Sequence, residues 1–128
     1  MAIDHYDPLQ APDAEQWLAM DEAERIRLAL DYHTRMRIKL PNAQVHAIIH
    51  ATVESQIALG DETPVRLKVR HLMAQGLNRH DAIHAIGSVL IQHLSDLVRD
   101  PAAASGDPNQ KYYSALRRLN AKKWLRSG

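Results

Sequence analysis

The chain has 128 residues, 45% of them hydrophobic and 24% charged, with a net charge of +1. That length supports one domain around one core, and the composition excludes disordered, collagen-like and membrane-spanning classes. With no cysteine and eight histidines, disulfide scaffolds, thiolate zinc fingers, cysteine-held iron–sulfur clusters and thiol nucleophiles are excluded, so a metal here must be held by nitrogen and oxygen.

Prolines and glycines punctuate a helical periodicity along the whole chain. Residues 1–12 read as a loose lead-in, and Pro12 to Leu18 as a short turn of helix. Asp21 caps a longer helix running to about Arg37, with Glu24 placed to complete a capping box and Ile26, Ala29, Leu30 and His33 on one face. Leu40-Pro41 interrupts it, because the residue before a proline is pushed out of the helical region. Asn42 caps the next helix, which carries Val45, Ile48, Ile49, Thr52, Val53 and Gln56 on its apolar side to Leu59, before Gly60 closes it. Thr63 and Pro64 open a third helix that ends at Gly76. Asn78, with Asp81 three residues on, opens a fourth, whose stripe of Ile83, Ile86, Leu90, Leu94 and Leu97 reaches Asp100-Pro101. Residues 101–107 read as a flexible loop, followed by a helix from about Pro108 anchored by Tyr112, Leu116 and Leu119. That helix breaks at Asn120 before a final turn through Trp124. No segment alternates with period two. The expected fold is all-α: a single domain over 1–128, with four main helices as a compact bundle and short terminal helices.

Charge is polarised along the chain. Residues 1–24 hold seven acids and no base, whereas 109–128 hold six bases and no acid. Opposed termini predict attraction within the folded chain or across a homodimer. A basic tail with Tyr112, Tyr113 and Trp124 among its cations is the pattern of a nucleic-acid contact, but six such charges on a near-neutral protein are weak evidence for it, and that partner is not expected. No basic-then-apolar leader opens the chain, and no apolar run approaches the roughly 18 residues of a spanning helix, so a cytoplasmic location without membrane contact is expected.

The histidines carry the functional signal. His46, His50 and Glu54 form an i, i+4, i+8 stripe at the edge of an apolar face. His80 and His84 lie inside the apolar arc of the fourth helix, in line with Gly87, and His33 sits on the core side of its own helix. Side chains four apart on a helix are neighbours, so each His-x-x-x-His pair can reach one ion. A buried imidazole left without partners costs on the order of 1–3 kcal/mol per group, and a shared divalent metal meets that need for all five. The candidate ligands are His46, His50, His80 and His84, then His33 and Glu54; the candidate metals are zinc, nickel or iron. The alternative is a non-catalytic interaction or dimerisation module, with the histidines hydrogen-bonded in a polar core layer and a basic C-terminal tail.

In type, five histidines and a carboxylate resemble the ligand set of hemerythrin-type di-iron bundles, without their last-helix histidine and aspartate. Tyr32-His33, Asn42 with His46-Ala47-Ile48-Ile49-His50 and Gln56, and His80-Asp81-Ala82-Ile83-His84 together resemble an uncharacterised bacterial family catalogued as a domain of unknown function. The resemblance covers about residues 31–92, with Tyr112, Tyr113 and Trp124 similar to the tail of closer members. It implies a small helical bacterial protein and supports the histidines as a set. More distant members place the carboxylate one residue after the Glu54 position, and the family supplies no reaction. The sequence has no Gly-rich phosphate loop, no nucleophile elbow and no Glu-x-x-His pair. Ala47 stands where a zinc protease of this His-x-x-x-His spacing needs its glutamate, so no particular reaction is implied.

Overall fold

The computed structural model describes residues 3–37, 42–104 and 106–127. Among these the regular structure is helical: α1 (Ala14–Ala19), α2 (Glu22–Arg35), α3 (Ala43–Ala58), α4 (Val65–Ala74), α5 (Arg79–Arg99), α6 (Gln110–Arg118) and α7 (Ala121–Ser127), with 3₁₀ turns at Gly60–Glu62 and Pro101–Ala104. The Leu40-Pro41 interruption, together with Met1, Ala2, Ser105 and Gly128, lies outside the described residues.

Helix starts follow local chemistry. The Asn42 side chain accepts from the Val45 N–H at 3.1 Å, and the Asn78 side chain accepts from the Asp81 N–H at 2.8 Å, each satisfying a donor with no partner inside its helix. Asp21 departs from expectation. Its side chain makes no capping bond, and the capping box is not formed because Glu24 is engaged by the Arg27 guanidinium one turn on.

Helix α3 sits at the centre, packed by α1 and α2 on one side and by α4 and α5 on the other, and α5 in turn carries α6 and α7. Two hydrophobic clusters result. Ile49 and Val53 of α3 join Val69 and Leu72 of α4, Ile83, Ile86 and Leu90 of α5, and Tyr112 and Leu116 of α6. Ala47 and Ala51, on another face of α3, meet Leu28, Ala29 and Tyr32 of α2, together with Tyr6 and Trp17. The expected single apolar side of α3 is therefore two faces, with alanine where α2 lies against it. Val45, in the first turn, is left 45% exposed.

Helix α5 outruns its neighbours. It has 21 residues against 16 in α3 and 10 in α4, and its last turns face α6 across an open groove lined by Gln92, Asp96, Lys111 and Arg118. None of residues 91–99 is buried. Leu94, expected in the core stripe, is 45% exposed for this reason, and Leu97 is half-buried.

The ion pairs among the described residues are mostly local, within α2, within α5 or between Asp61 and Arg66, and none joins the acidic N-terminal segment to the basic C-terminal helices. No helix among the described residues is long and apolar enough to cross a membrane.

Candidate metal centre

Three helices bring histidines to one place. His33 comes from the last turn of α2, His50 from mid-α3, and His80 and His84 from the first turns of α5. One ring nitrogen from each of these four lies within 4.8 Å of the others, a group that can hold a metal ion. In a tetrahedral set with bonds of about 2.1 Å the ligand nitrogens are about 3.4 Å apart, so the cluster would contract by up to about 1.4 Å to close on one ion.

His46 adjoins this group. Its ring centroid lies 4.6 Å from that of His33, 4.8 Å from that of His50 and 5.0 Å from that of His84. His33, His46 and His80 each have a buried Nε2 without a hydrogen-bond partner among the described residues. His50 Nε2 and His84 Nε2 face each other at 3.1 Å. One of the rings is oriented from behind by its own helix. His33 Nδ1 lies 2.7 Å from the Ala29 carbonyl, which can only accept, so Nδ1 carries the proton and the lone pair is on the unpartnered Nε2.

Glu54 is placed elsewhere. Its carboxylate receives both Nη atoms of Arg79 at 2.7 Å and the Tyr6 hydroxyl at 2.5 Å. Both ends of the ion pair are buried, Glu54 1% and Arg79 7% exposed, and Arg79 Nη1 also donates to the Pro8 carbonyl at 3.0 Å. The fork-to-carboxylate geometry is what a pair taken out of water requires. The link back to the cluster is Tyr6, whose Oη lies 3.2 Å from His50 Nδ1.

Four of the rings, His46, His50, His80 and His84, are held toward the neutral form. Burial, reinforced by repulsion from neighbouring imidazoles, lowers His46 and His84 to about 4 and His50 to about 2. His80 is lowered by burial and by His33, partly offset by Asp81 and Asp7. Neutral imidazoles keep a lone pair on one nitrogen, the form a metal ligand needs. Burial, then the Glu54 charge, pushes the Tyr6 phenol well above its ordinary value, so it stays an O–H donor.

Of the six residues singled out by sequence, the structure gathers His33, His50, His80 and His84, sets His46 against them and gives the Glu54 oxygens to Arg79 and Tyr6. Sequence reasoning missed Tyr6 and Arg79. A glutamate at the edge of an apolar face was the available signal, since a buried carboxylate demands a cation.

Gly87 lies where α5 crosses α3: a Cβ there would come 2.8 Å from Ile49 Cγ2. The missing side chain is what lets the two helices approach closely there.

Comparison of the chain with family models, with curated proteins and with solved structures gives no match.

Proposed function

We propose that the protein binds one divalent transition metal ion, zinc, nickel or iron, through His33, His50, His80 and His84 with His46 as a further ligand, and that Glu54 serves from outside the ligand set. The observation that carries this reading is the meeting of unpartnered Nε2 atoms of His33, His46 and His80 beside the His50–His84 contact. Each such buried nitrogen costs on the order of 1–3 kcal/mol, and an ion coordinated by all of them removes that cost at once. Imidazole ligands carry no negative charge and the Glu54 charge is offset by Arg79, so the ion's own charge is not cancelled by the protein. Kinship with the bacterial family that carries the same histidine pairs is part of the proposal.

Metal analysis of untagged protein tests it. The expected result is about one equivalent of a transition metal, retained on gel filtration and lost in His50→Ala and His80→Ala. Zinc at about a hundred times its Kd should stabilise the metal-free protein by about 2.7 kcal/mol, whereas Mg²⁺ and Ca²⁺, which want oxygen ligands, should do nothing. Less than about a tenth of an equivalent, with no stabilisation by zinc, nickel or iron(II), overturns the reading.

The second reading is a non-catalytic interaction or dimerisation module. It is favoured by the solvent-facing Ile91, Leu94 and Val98 on α5, 48%, 45% and 82% exposed, and by the basic residues of α6 and α7. In it the imidazoles form a polar core layer that holds no ion, so the same metal analysis separates the two readings.

A further inference from the structure

The segment before α1 has no helix, yet it is pinned at several points. The Tyr6 carbonyl accepts from Arg35 Nη2 at 3.1 Å and the Pro8 carbonyl from Arg79 Nη1 at 3.0 Å. Between these anchors the Tyr6 ring is driven into the interior, 2% exposed, against Trp17 and the edge of the His50 ring.

Its hydroxyl has one proton, with Glu54 and His50 within hydrogen-bond distance and the Arg79 guanidinium, which can only donate, beside it. Glu54, an ion-paired carboxylate that can only accept, takes that proton at 2.5 Å. The phenol oxygen is then an acceptor toward His50 Nδ1 at 3.2 Å, so Nδ1 must be the protonated nitrogen. The opposite tautomer would set a nitrogen lone pair against an oxygen lone pair. His33 needs no such help, because its Nδ1 is fixed by a carbonyl of its own helix.

We infer that Tyr6 is a positioning residue of the metal centre: with Glu54 it locks His50 as the Nδ1–H tautomer, presenting Nε2 to the ion, and so makes the N-terminal segment part of the site. The role in metal binding rests on the proposed metal function. Ligands oriented from behind by a hydrogen-bonded partner lose affinity when that partner is removed, by about 10- to 100-fold.

The test uses the full chain, wild type and Tyr6→Phe, with Co²⁺ as the probe and ring ¹H–¹⁵N correlation spectra of the metal-free proteins. In the wild type, His50 should be the Nδ1–H tautomer. In Tyr6→Phe it should move toward Nε2–H while His33 stays unchanged, a selective response that a general loosening of the fold does not produce. Co²⁺ affinity should fall about 10- to 100-fold at unchanged stoichiometry. A wild-type His50 found as Nε2–H overturns the inference whether or not the variant folds. So does a Tyr6→Phe protein with an unchanged His50 tautomer and wild-type Co²⁺ affinity. A wild type that takes up no Co²⁺ overturns the metal reading and the role in binding with it, whereas unchanged affinity in the variant beside a Co²⁺-binding wild type overturns the positioning role alone.

Discussion

The two sides of α3 are built on different principles. Toward α4, α5 and α6 it contributes Ile49 and Val53 to a dry cluster of aliphatic side chains, closed by Tyr112 and Leu116. Toward α2 and the start of α5 it carries His50 and Glu54 into a region where imidazoles, a phenol, a guanidinium and a carboxylate are buried together. In the first region each buried group supplies its own driving force, roughly in proportion to the apolar area hidden. In the second each group is costly to bury alone and is held by its partners. Volume specifies one half, and pairing the other.

The hardest test of that contrast is to remove one partner on the polar side. Arg79→Met keeps most of the side-chain volume but leaves the Glu54 carboxylate buried with Tyr6 as its remaining donor, and the stability loss should be about 3–5 kcal/mol. Ile83→Val, an equally buried position in the dry half, should cost about 0.5–1.5 kcal/mol. Urea titrations of both variants decide the matter. Equal losses would mean that the polar side is governed by packing like the dry one.

Acid should separate the halves next. His46, His50 and His84 have folded pKa values held by burial far below the ordinary 6.5. Below about 6.5 the unfolded chain takes up protons that the folded chain refuses, so the metal-free protein has its full stability above that pH. Stability then falls as the pH drops toward about 4 for His46 and His84, with His50 contributing down to about 2. Between pH 7 and pH 5 the loss should be on the order of a few kcal/mol. The dry cluster has no ionisable group that titrates in this window, so a flat urea midpoint from pH 7 to 5 would show that the imidazoles are not buried neutral.

The same division explains how much the sequence reveals. A His-x-x-x-His pair marks one face of a helix whatever lies opposite, so His46, His50, His80 and His84 are legible without any tertiary knowledge, as are the Asn42 and Asn78 caps. Pairing across the fold is not local. Arg79, beside its cap, looks like a solvated first-turn cation, and nothing near Glu54 in sequence says which base will reach it. Tyr6 belongs to no periodic segment, so no face can be assigned to it. Periodicity overextends where partners run out: Leu94 and Leu97 continue the stripe of Leu90, but α5 has 21 residues against 10 in α4, and none of residues 91–99 is buried. The Asp21-x-x-Glu24 box fails through a local competitor, Arg27, which no capping rule weighs.

A further modest stability effect is expected at the seam between the two regions. Gly87 is mid-helix, where alanine gains about 1 kcal/mol of intrinsic helix preference. Its new Cβ, however, would lie 2.8 Å from Ile49 Cγ2, and a β-branched side chain inside a helix has almost no freedom to turn away. The crossing must open by several tenths of an ångström, and overpacking of this kind costs about 1–3 kcal/mol. Gly87→Ala should therefore be destabilising by no more than about 2 kcal/mol. Its influence on the metal centre should be larger in proportion, because Ile49 adjoins His50 and His84 is one turn from Gly87, so the opening is transmitted to the 3.1 Å gap between their Nε2 atoms. Urea midpoints and Co²⁺ titrations on the same protein read both consequences. A variant about 1 kcal/mol more stable than the wild type, binding Co²⁺ as tightly, would mean that the crossing yields freely and that the dry side does not set the spacing of the polar one.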